Sequence, residues 1–148
     1  MKLFGTDGIR GEFNKSPINH DELVKIGYAF VKSLFGTKRG KILISNDGRE
    51  SCLSIEASLA LGIKHQGSEV FFIGLYPTPA LSIYLNSSAQ TSGLRAGIQI
   101  TASHNPYYDN GVKFFDNNGY KINNTIEKII EENYLSYNED IDEKDTQF

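Results

Sequence analysis

Residues 97–115 of this 148-residue chain read GIQITASHNPYYDNGVKFF. Apolar runs at 96–101 and 112–115 are typical of buried β-strands. The loop between them is polar and contains two turn-forming residues, Pro106 and Gly111. A parallel pairing would need a longer crossover connection, so we expect the second strand to run antiparallel to the first.

The residues before this stretch alternate between strands and helices. Apolar runs at 42–44 and 70–73 each predict a buried strand. Helical periodicity and capping residues predict four helices, whose expected N-caps are Asn19, Ser51, Thr78 and Asn124. Strand and helix in alternation predict an α/β domain with a mostly parallel sheet and right-handed crossovers.

Composition favours a globular domain without disulfide bonds. Hydrophobic residues make up 39% of the chain, and its single cysteine, Cys52, cannot form an internal disulfide. The sequence has no apolar run of membrane-spanning length and no secretory leader pattern. We therefore expect a cytoplasmic protein that does not act on membranes.

Charge is unevenly distributed along the chain, which carries a net charge of −3. The final 22 residues hold eight acidic and two basic side chains, while the rest is mildly positive. That balance tolerates an anionic small molecule but lacks the basic stripe of a nucleic-acid-binding protein. We expect a domain at 1–137, followed at 138–148 by an acidic tail or the start of an interdomain linker.

Three polar segments follow the three expected parallel strands, at 47–49, 77–79 and 101–106. Ligands of open α/β sheets gather at the carboxyl ends of such strands, so these segments predict a single site. Ser103 is the candidate nucleophile or phosphoryl carrier, with Lys113 able to reach back from the next strand. The alternative is that its hydroxyl merely caps a turn.

The histidines favour structural roles. His104 is adjacent to Ser103, and neighbouring residues at a strand end point to opposite sides, which argues against a simple Ser–His catalytic pair. His20 and His65 are expected to be ordinary surface residues.

A second glycine-rich segment, FGTDGIRG at residues 4–11, lies near the start of the chain. Glycines let backbone N–H groups approach a phosphate closely, and Arg10 offers bidentate contacts to one. The segment matches neither a P-loop nor a dinucleotide fingerprint. By itself it is equally consistent with a turn-rich entry into the domain.

Together, residues 4–11 and 97–115 resemble the phosphoglucosamine mutases of the phosphohexomutase superfamily. The serine, His-Asn-Pro, Asp-Asn-Gly and lysine stand in the family order, and Asp47, Arg49 and residues 77–80 add supporting matches. The resemblance extends from Phe4 to about Ile122. It implies a three-layer α/β/α domain with a mixed four-stranded sheet in the order 2-1-3-4, strand 4 being antiparallel.

The resemblance also implies roles for individual residues. Ser103 would be the phosphoserine that interconverts glucosamine 6-phosphate and glucosamine 1-phosphate through a bisphosphate. Arg10 and Lys113 would lie beside it, and Lys113 would also assist proton transfer. The resemblance also places His104 in the catalytic group, where it supports the loop. It assigns support of the loop and substrate to four further residues: Thr6, Asn105, Asp47 and Arg49.

The implied cofactors are Mg²⁺, bound to Ser103 through its phosphate, and an activator of the glucose- or glucosamine-bisphosphate type. Two departures weaken the role of the 47–49 loop: Gly48 stands where the family usually has threonine, and Cys52 where it usually has glycine. The loops of family domains II–IV, including the aspartate-rich metal loop, are absent. We therefore expect this chain to need those domains, in cis or in trans, and to be nearly silent alone.

Other functions remain open at this point. A sister phosphomannomutase or phosphoglucomutase shares the same machinery. A truncated, non-catalytic module that binds sugar phosphates is a second alternative. A serine hydrolase is a third alternative, and it would need a base and an acid to which the sequence pattern assigns no residue.

Overall fold

The computed structural model describes residues 2–75, 77–88, 95–101, 106 and 108–137. The elements are β1 (Ile9–Glu12), α1 (His20–Phe35), β2 (Lys41–Asn46), α2 (Cys52–Gln66), β3 (Glu69–Leu75), α3 (Thr78–Ser88), β4 (Arg95–Ile100), β5 (Asp109–Phe115) and α4 (Asn124–Leu135). The α/β class and the four expected helices are confirmed. No helix in the described part of the chain has both the length and the apolar character needed to cross a bilayer.

The sheet is mixed, with strand order β1-β5-β4-β2-β3. Strands β3, β2 and β4 are parallel, and β5 runs antiparallel to β4 as its short connection predicts. The expectation of four strands is wrong, because β1 adds a fifth at the edge beside β5. The order therefore differs from 2-1-3-4 by this strand, while the four expected strands keep their relative places.

Helices cover both faces of the sheet. The larger core joins α1, α2 and α4 to one face, with Phe30, Leu59 and Ile130 fully buried. On the other face Leu81 and Leu85 of α3 form a smaller cluster with strand residues Leu43 and Phe115. The carboxyl ends of the parallel strands, and the loops that follow them, therefore lie between two apolar layers. We call this end of the sheet its loop-bearing edge.

Helices α1 and α2 pack closely because each has a glycine at the contact. A side chain at Gly27 would collide with the Leu59 carbonyl, and one at Gly62 would collide with the Val24 carbonyl. The absence of a Cβ at both positions brings the two backbones together. This close packing fixes α2, and with it the loop that enters α2 from β2.

Strand β3 was expected to be buried, but it is the free edge of the sheet. Phe71 is 43% exposed and Phe72 is 50% exposed. Its apolar run resembles that of a central strand, and a continuous apolar run does not encode whether a neighbour lies on each side.

Two of the expected helix caps are also corrected. Asn123, rather than Asn124, caps α4, because its side chain accepts a hydrogen bond from the Ile126 amide at 2.9 Å. Ser51 precedes α2 without a side-chain capping bond. Its hydroxyl donates instead to Asn110 Oδ1 at 2.6 Å, across to β5.

Candidate functional site

The loops after β2, β3 and β4 begin at the same edge of the sheet. Asn46, the last residue of β2, is in register with both Leu75 of β3 and Ile100 of β4. The Asp47 amide continues this level by donating to the Ile100 carbonyl at 3.1 Å. The predicted convergence of polar segments therefore has a structural basis in the parallel register.

Asp47 and Arg49 form the best-defined polar contact at this edge. Arg49 Nε lies 2.9 Å from Asp47 Oδ2 in a partly buried ion pair. Arg49 Nη1 also donates to the backbone carbonyls of Pro106 at 2.8 Å and Asp109 at 3.1 Å. The guanidinium thus ties the β2–α2 loop to the connection between β4 and β5.

The carboxyl group of Asp47 is held in its ionised form. Burial would raise the pKa of this group, but hydrogen bonds from Arg49 and Thr101, together with the charge of Arg49, lower it below its ordinary value. Asp47 is therefore an anion that orients Arg49 and meets Thr101, the residue with which the β4–β5 connection begins.

Gly48 and Cys52, the two departures from the resembled family, have separate structural consequences. Gly48 has a φ of 83°, a left-handed conformation that glycine adopts without strain. Cys52 is 2% exposed, with Sγ 3.6 Å from Asp47 Oδ1. Burial and, after it, the Asp47 charge raise the pKa of Cys52 to about 11, so the thiol stays protonated.

Strand β1 brings Arg10 to the other side of the β4–β5 connection. Arg10 is in register with Gly111 of β5, and the Gly111 carbonyl accepts a hydrogen bond from the Thr101 amide at 2.8 Å. A Cβ on Gly111 would lie 3.3 Å from Arg10 Cγ and would collide with the Thr101 carbonyl. The missing side chain at Gly111 therefore lets Arg10 lie next to the start of the connection.

The Arg10 guanidinium is only partly satisfied. Among the described residues its Nε is buried without a hydrogen-bond partner. Arg10 lines a pocket of about 520 Å³ with Thr6 and the glycine turn, in which the Gly5 amide donates to the Gly8 carbonyl at 2.8 Å. A buried arginine donor beside glycine-rich backbone is suited to an anion.

Side chains from other elements fix this N-terminal turn. Lys121 Nζ donates to the Thr6 carbonyl. Glu131 of α4 accepts from the Leu3 and Phe4 amides at 3.1 and 3.3 Å. Sequence reasoning missed both residues, since each contact joins positions more than one hundred residues apart.

Lys113 lies on the same face of the sheet as Arg10. It is two residues beyond Gly111 on β5 and in register with Gln99 of β4. Side chains two apart on a strand share a face, and so do register partners. The structure therefore places Arg10 and Lys113 on one side of the sheet near its loop-bearing edge.

Three of the predicted site residues are not among those that the structure describes. Ser103, His104 and Asn105 lie outside the described residues, as does the expected tail or linker at 138–148. Of the other histidines, His20 is exposed, with Nδ1 2.9 Å from Ser58 Oγ. His65 is partly buried and packs against Tyr28, with the ring centroids 5.6 Å apart and the rings tilted by 40°.

The family model for phosphoglucomutase/phosphomannomutase, alpha/beta/alpha domain I, matches residues 1–140. A phosphoglucosamine mutase from Dechloromonas aromatica is 43% identical over 136 residues, covering 88% of this chain and 29% of that protein. One from Photorhabdus laumondii is 46% identical over 130 residues, covering 88% of this chain and 28% of that protein.

Among solved structures, a putative phosphomannomutase from Thermus thermophilus matches with a TM-score of 0.73 at 29% identity. That match covers 87% of this chain and 29% of the other. The chain thus spans less than a third of the length of the relatives it matches. Its sheet topology, the residues at its loop-bearing edge and these matches agree, and the chain belongs to the phosphoglucomutase/phosphomannomutase family as its alpha/beta/alpha domain I.

Proposed function

We propose that this chain is the phosphoserine domain of a phosphoglucosamine mutase, with Ser103 as the residue that carries the phosphoryl group. The observation that carries the proposal is the position of Arg10. Its side chain lies over Gly111 beside Thr101, two residues before Ser103 in the sequence, and its Nε is buried without a partner among the described residues.

The reaction exchanges one phosphoryl group between Ser103 and the sugar. The bond from phosphorus to the serine oxygen breaks as a bond to a sugar hydroxyl forms, and that hydroxyl loses its proton. The reverse transfer from the other phosphorylated position of the bisphosphate restores the phosphoserine. Arg10 neutralises charge on the transferred oxygens, and Lys113, on the same face, accepts or returns the proton.

Asp47 and Arg49 keep the β4–β5 connection in place during this exchange. Arg49 donates hydrogen bonds to Asp47 and to the Pro106 and Asp109 carbonyls. Because these donors are occupied, a structural role for Arg49 is favoured over direct phosphate binding. Thr6, His104 and Asn105 remain proposed supports of the loop and substrate. Positioning supplies much of the rate in phosphoryl transfer, so a held loop has a direct catalytic use.

The proposed Mg²⁺ requires ligands beyond those that the structure describes. No cluster of three His, Cys, Asp or Glu side chains occurs among the described residues, and the Asp47 carboxylate is paired with Arg49. Those residues do not fit a magnesium site by themselves, because Mg²⁺ prefers several oxygen ligands in octahedral geometry. The bisphosphate activator stays a prediction.

The aminosugar branch is favoured over its sister enzymes by the relatives named phosphoglucosamine mutase, at 43–46% identity. A sister phosphomannomutase or phosphoglucomutase is the second candidate, favoured by the structural match to a putative phosphomannomutase at 29% identity. A domain exchange distinguishes the two, because each host supplies family domains II–IV from one of the two kinds of enzyme.

In that experiment this chain replaces the first domain of the Photorhabdus mutase and, separately, of the Thermus protein. We expect turnover of glucosamine 6-phosphate in the first chimera and much weaker mannose phosphate turnover in the second. Intact-mass and peptide analysis should find one phosphoryl group, on Ser103. Ser103→Ala should abolish both turnover and phosphate, while Ser87→Ala, an exposed serine of α3, should change neither.

Contrary outcomes are specific. Turnover in the Ser103→Ala chimera would refute the phosphoserine assignment. Stronger activity in the Thermus host would favour the sister enzymes. An inactive but folded chimera in both hosts would favour a non-catalytic sugar-phosphate-binding module.

A further inference from the structure

A polar pair lies beneath the 47–49 loop, at the boundary between β2 and α2. Asn46 and Glu56 are 7% and 6% exposed, and Asn46 Nδ2 donates to Glu56 Oε1 at 2.7 Å. Burial raises the pKa of Glu56, and the hydrogen bond from Asn46 only partly offsets that effect. A buried carboxyl group is a poor choice for stability alone, because an apolar side chain of similar volume would pack there without a desolvation cost.

What the pair provides is orientation. The Asn46 side chain uses its other end, Oδ1, to accept the Gly48 amide at 2.9 Å. An asparagine amide can be placed either way round, and only the orientation with Nδ2 toward a carboxylate leaves Oδ1 facing the backbone amide. Glu56 therefore selects the orientation in which Asn46 holds Gly48.

The Gly48 amide lies in the 47–49 loop, next to Asp47 and Arg49. With a φ of 83°, Gly48 adopts a left-handed conformation between these two residues. Arg49 Nε lies 2.9 Å from Asp47 Oδ2, and Nη1 is bonded to two carbonyls of the β4–β5 connection. A change in the backbone conformation at Gly48 would move Arg49 relative to those carbonyls.

We propose that Asn46 and Glu56 are positioning residues, which set the backbone conformation at Gly48 and thereby hold Arg49 on the Pro106 and Asp109 carbonyls. The pair touches neither carbonyl itself and acts through Arg49. Its catalytic consequence rests on the function proposed above for Ser103, whereas its structural consequence does not.

The structural consequence is measured by NMR on the 148-residue chain, from exchange of the Arg49 Nε–H and the Gly48 amide with solvent. Asn46→Asp places one carboxylate against another, and we expect exchange at both sites to become about tenfold faster or more. In the double variant Asn46→Asp/Glu56→Gln the side chain at position 56 can donate and the one at position 46 can accept, so the hydrogen bond is restored in the opposite direction. It should return exchange to within about threefold of wild type.

Glu56→Leu removes the acceptor and keeps an apolar side chain of similar size in α2. Because the buried Asn46 Nδ2 then lacks its partner, the midpoint of urea unfolding should fall, and exchange at Arg49 should accelerate. It also keeps the test decisive if Asn46→Asp fails to fold. Unchanged Arg49 exchange in folded Glu56→Leu would overturn the proposal.

Ser68→Ala is the matched control. Ser68 is 4% exposed and accepts the Gly40 amide at 3.0 Å, at the opposite edge of the sheet from the 47–49 loop. Its loss should lower stability without changing exchange at Arg49. Equal acceleration in Ser68→Ala, or a double variant no better than Asn46→Asp alone, would overturn the proposal by showing general loosening.

The catalytic consequence is measured in the Photorhabdus chimera. Glu56→Leu should lower kcat about tenfold with little change in KM, because the substrate contacts are intact while the β4–β5 connection is displaced. Unchanged kcat together with faster Arg49 exchange would overturn the catalytic part alone. An inactive wild-type chimera would count against the proposed function, and the exchange data would still decide the positioning.

Discussion

Gly111 shows how one absent side chain shapes the candidate site. It lies between Arg10 and Thr101, and both neighbours occupy space that a Cβ would need. The sequence marks it only as a turn-forming residue after Asp-Asn. Its second role is to leave room for the Arg10 side chain, and this role follows only from the pairing of β1 with β5.

Gly111→Ala should therefore reduce the free energy of unfolding by about 1–3 kcal/mol, because the added methyl group collides with the Thr101 backbone. Urea unfolding of the purified chain measures the change. Gly5→Ala is the control: its Cβ would meet the Gly8 carbonyl at 3.7 Å, an ordinary contact, so the change should stay within about 0.5 kcal/mol. Equal effects of the two substitutions would contradict the steric argument.

Cys52 is expected to be unreactive despite its place next to the 47–49 loop. Its pKa in the folded chain is about 11, against an ordinary value of 9.0, so at pH 9 folding suppresses the thiolate. Alkylation by iodoacetamide at pH 9 should be slower in the native chain than in urea by a factor on the order of one hundred. Mass spectrometry measures both rates, and similar rates would show that the thiol is accessible and ionised.

The same pKa shift has a consequence for stability. A thiol whose pKa is raised by folding favours the unfolded chain once the pH exceeds the unfolded pKa. Stability should therefore fall as pH rises from 9 toward 11, and part of that fall should be absent in Cys52→Ala. If the difference in unfolding free energy between wild type and Cys52→Ala did not change between pH 9 and 11, the raised pKa of Cys52 would be refuted.

At the scale of elements, strong local patterns identify structure and weak ones do not. Helix α1 has an N-cap at Asn19, an acidic first turn and a stop at Gly36, and its predicted position is confirmed. Strand β1 has four residues and no apolar alternation, so only its hydrogen bonds to β5 make it a strand. The order of the predicted strands depends on the family resemblance, which does not indicate the added edge strand.

The N-cap of α4 can be tested by substituting each of the two neighbouring asparagines. Asn123→Ala should reduce the free energy of unfolding by about 1 kcal/mol, since it removes the acceptor of the Ile126 amide. Asn124→Ala is a matched control on the neighbouring exposed residue and should have a small effect, or a favourable one from helix propensity. If urea unfolding showed a larger loss of stability in Asn124→Ala than in Asn123→Ala, Asn124 would be the cap after all.

At the scale of the whole molecule, the chain presents one side of a site. Arg10 and Lys113 share a face, and Arg49 holds the connection from the other end. Described residues offer no cluster for a metal, and the chain spans less than a third of its relatives' length. On the proposed function, this side of the site carries the phosphoryl group, and other domains of the mutase enclose the sugar.

The purified chain should accordingly show no more than trace interconversion of glucosamine 6-phosphate and glucosamine 1-phosphate. A coupled assay at matched concentrations of chain and Photorhabdus chimera measures the difference, which we expect to exceed about a thousandfold because water is not excluded from the open site. Turnover by the chain alone at a normal enzyme rate would contradict this expectation.

The sequence by itself determined the α/β class, the helix starts with strong caps and the residue types gathered at the loop-bearing edge. These follow from periodicity and local hydrogen bonding, which involve neighbours within a few positions. Tertiary structure alone decided that β1 joins the sheet, that β3 is its edge, and that Arg49 reaches the Pro106 and Asp109 carbonyls. Such contacts join residues far apart in the chain, and strand pairing and burial select them after the local pattern has been satisfied.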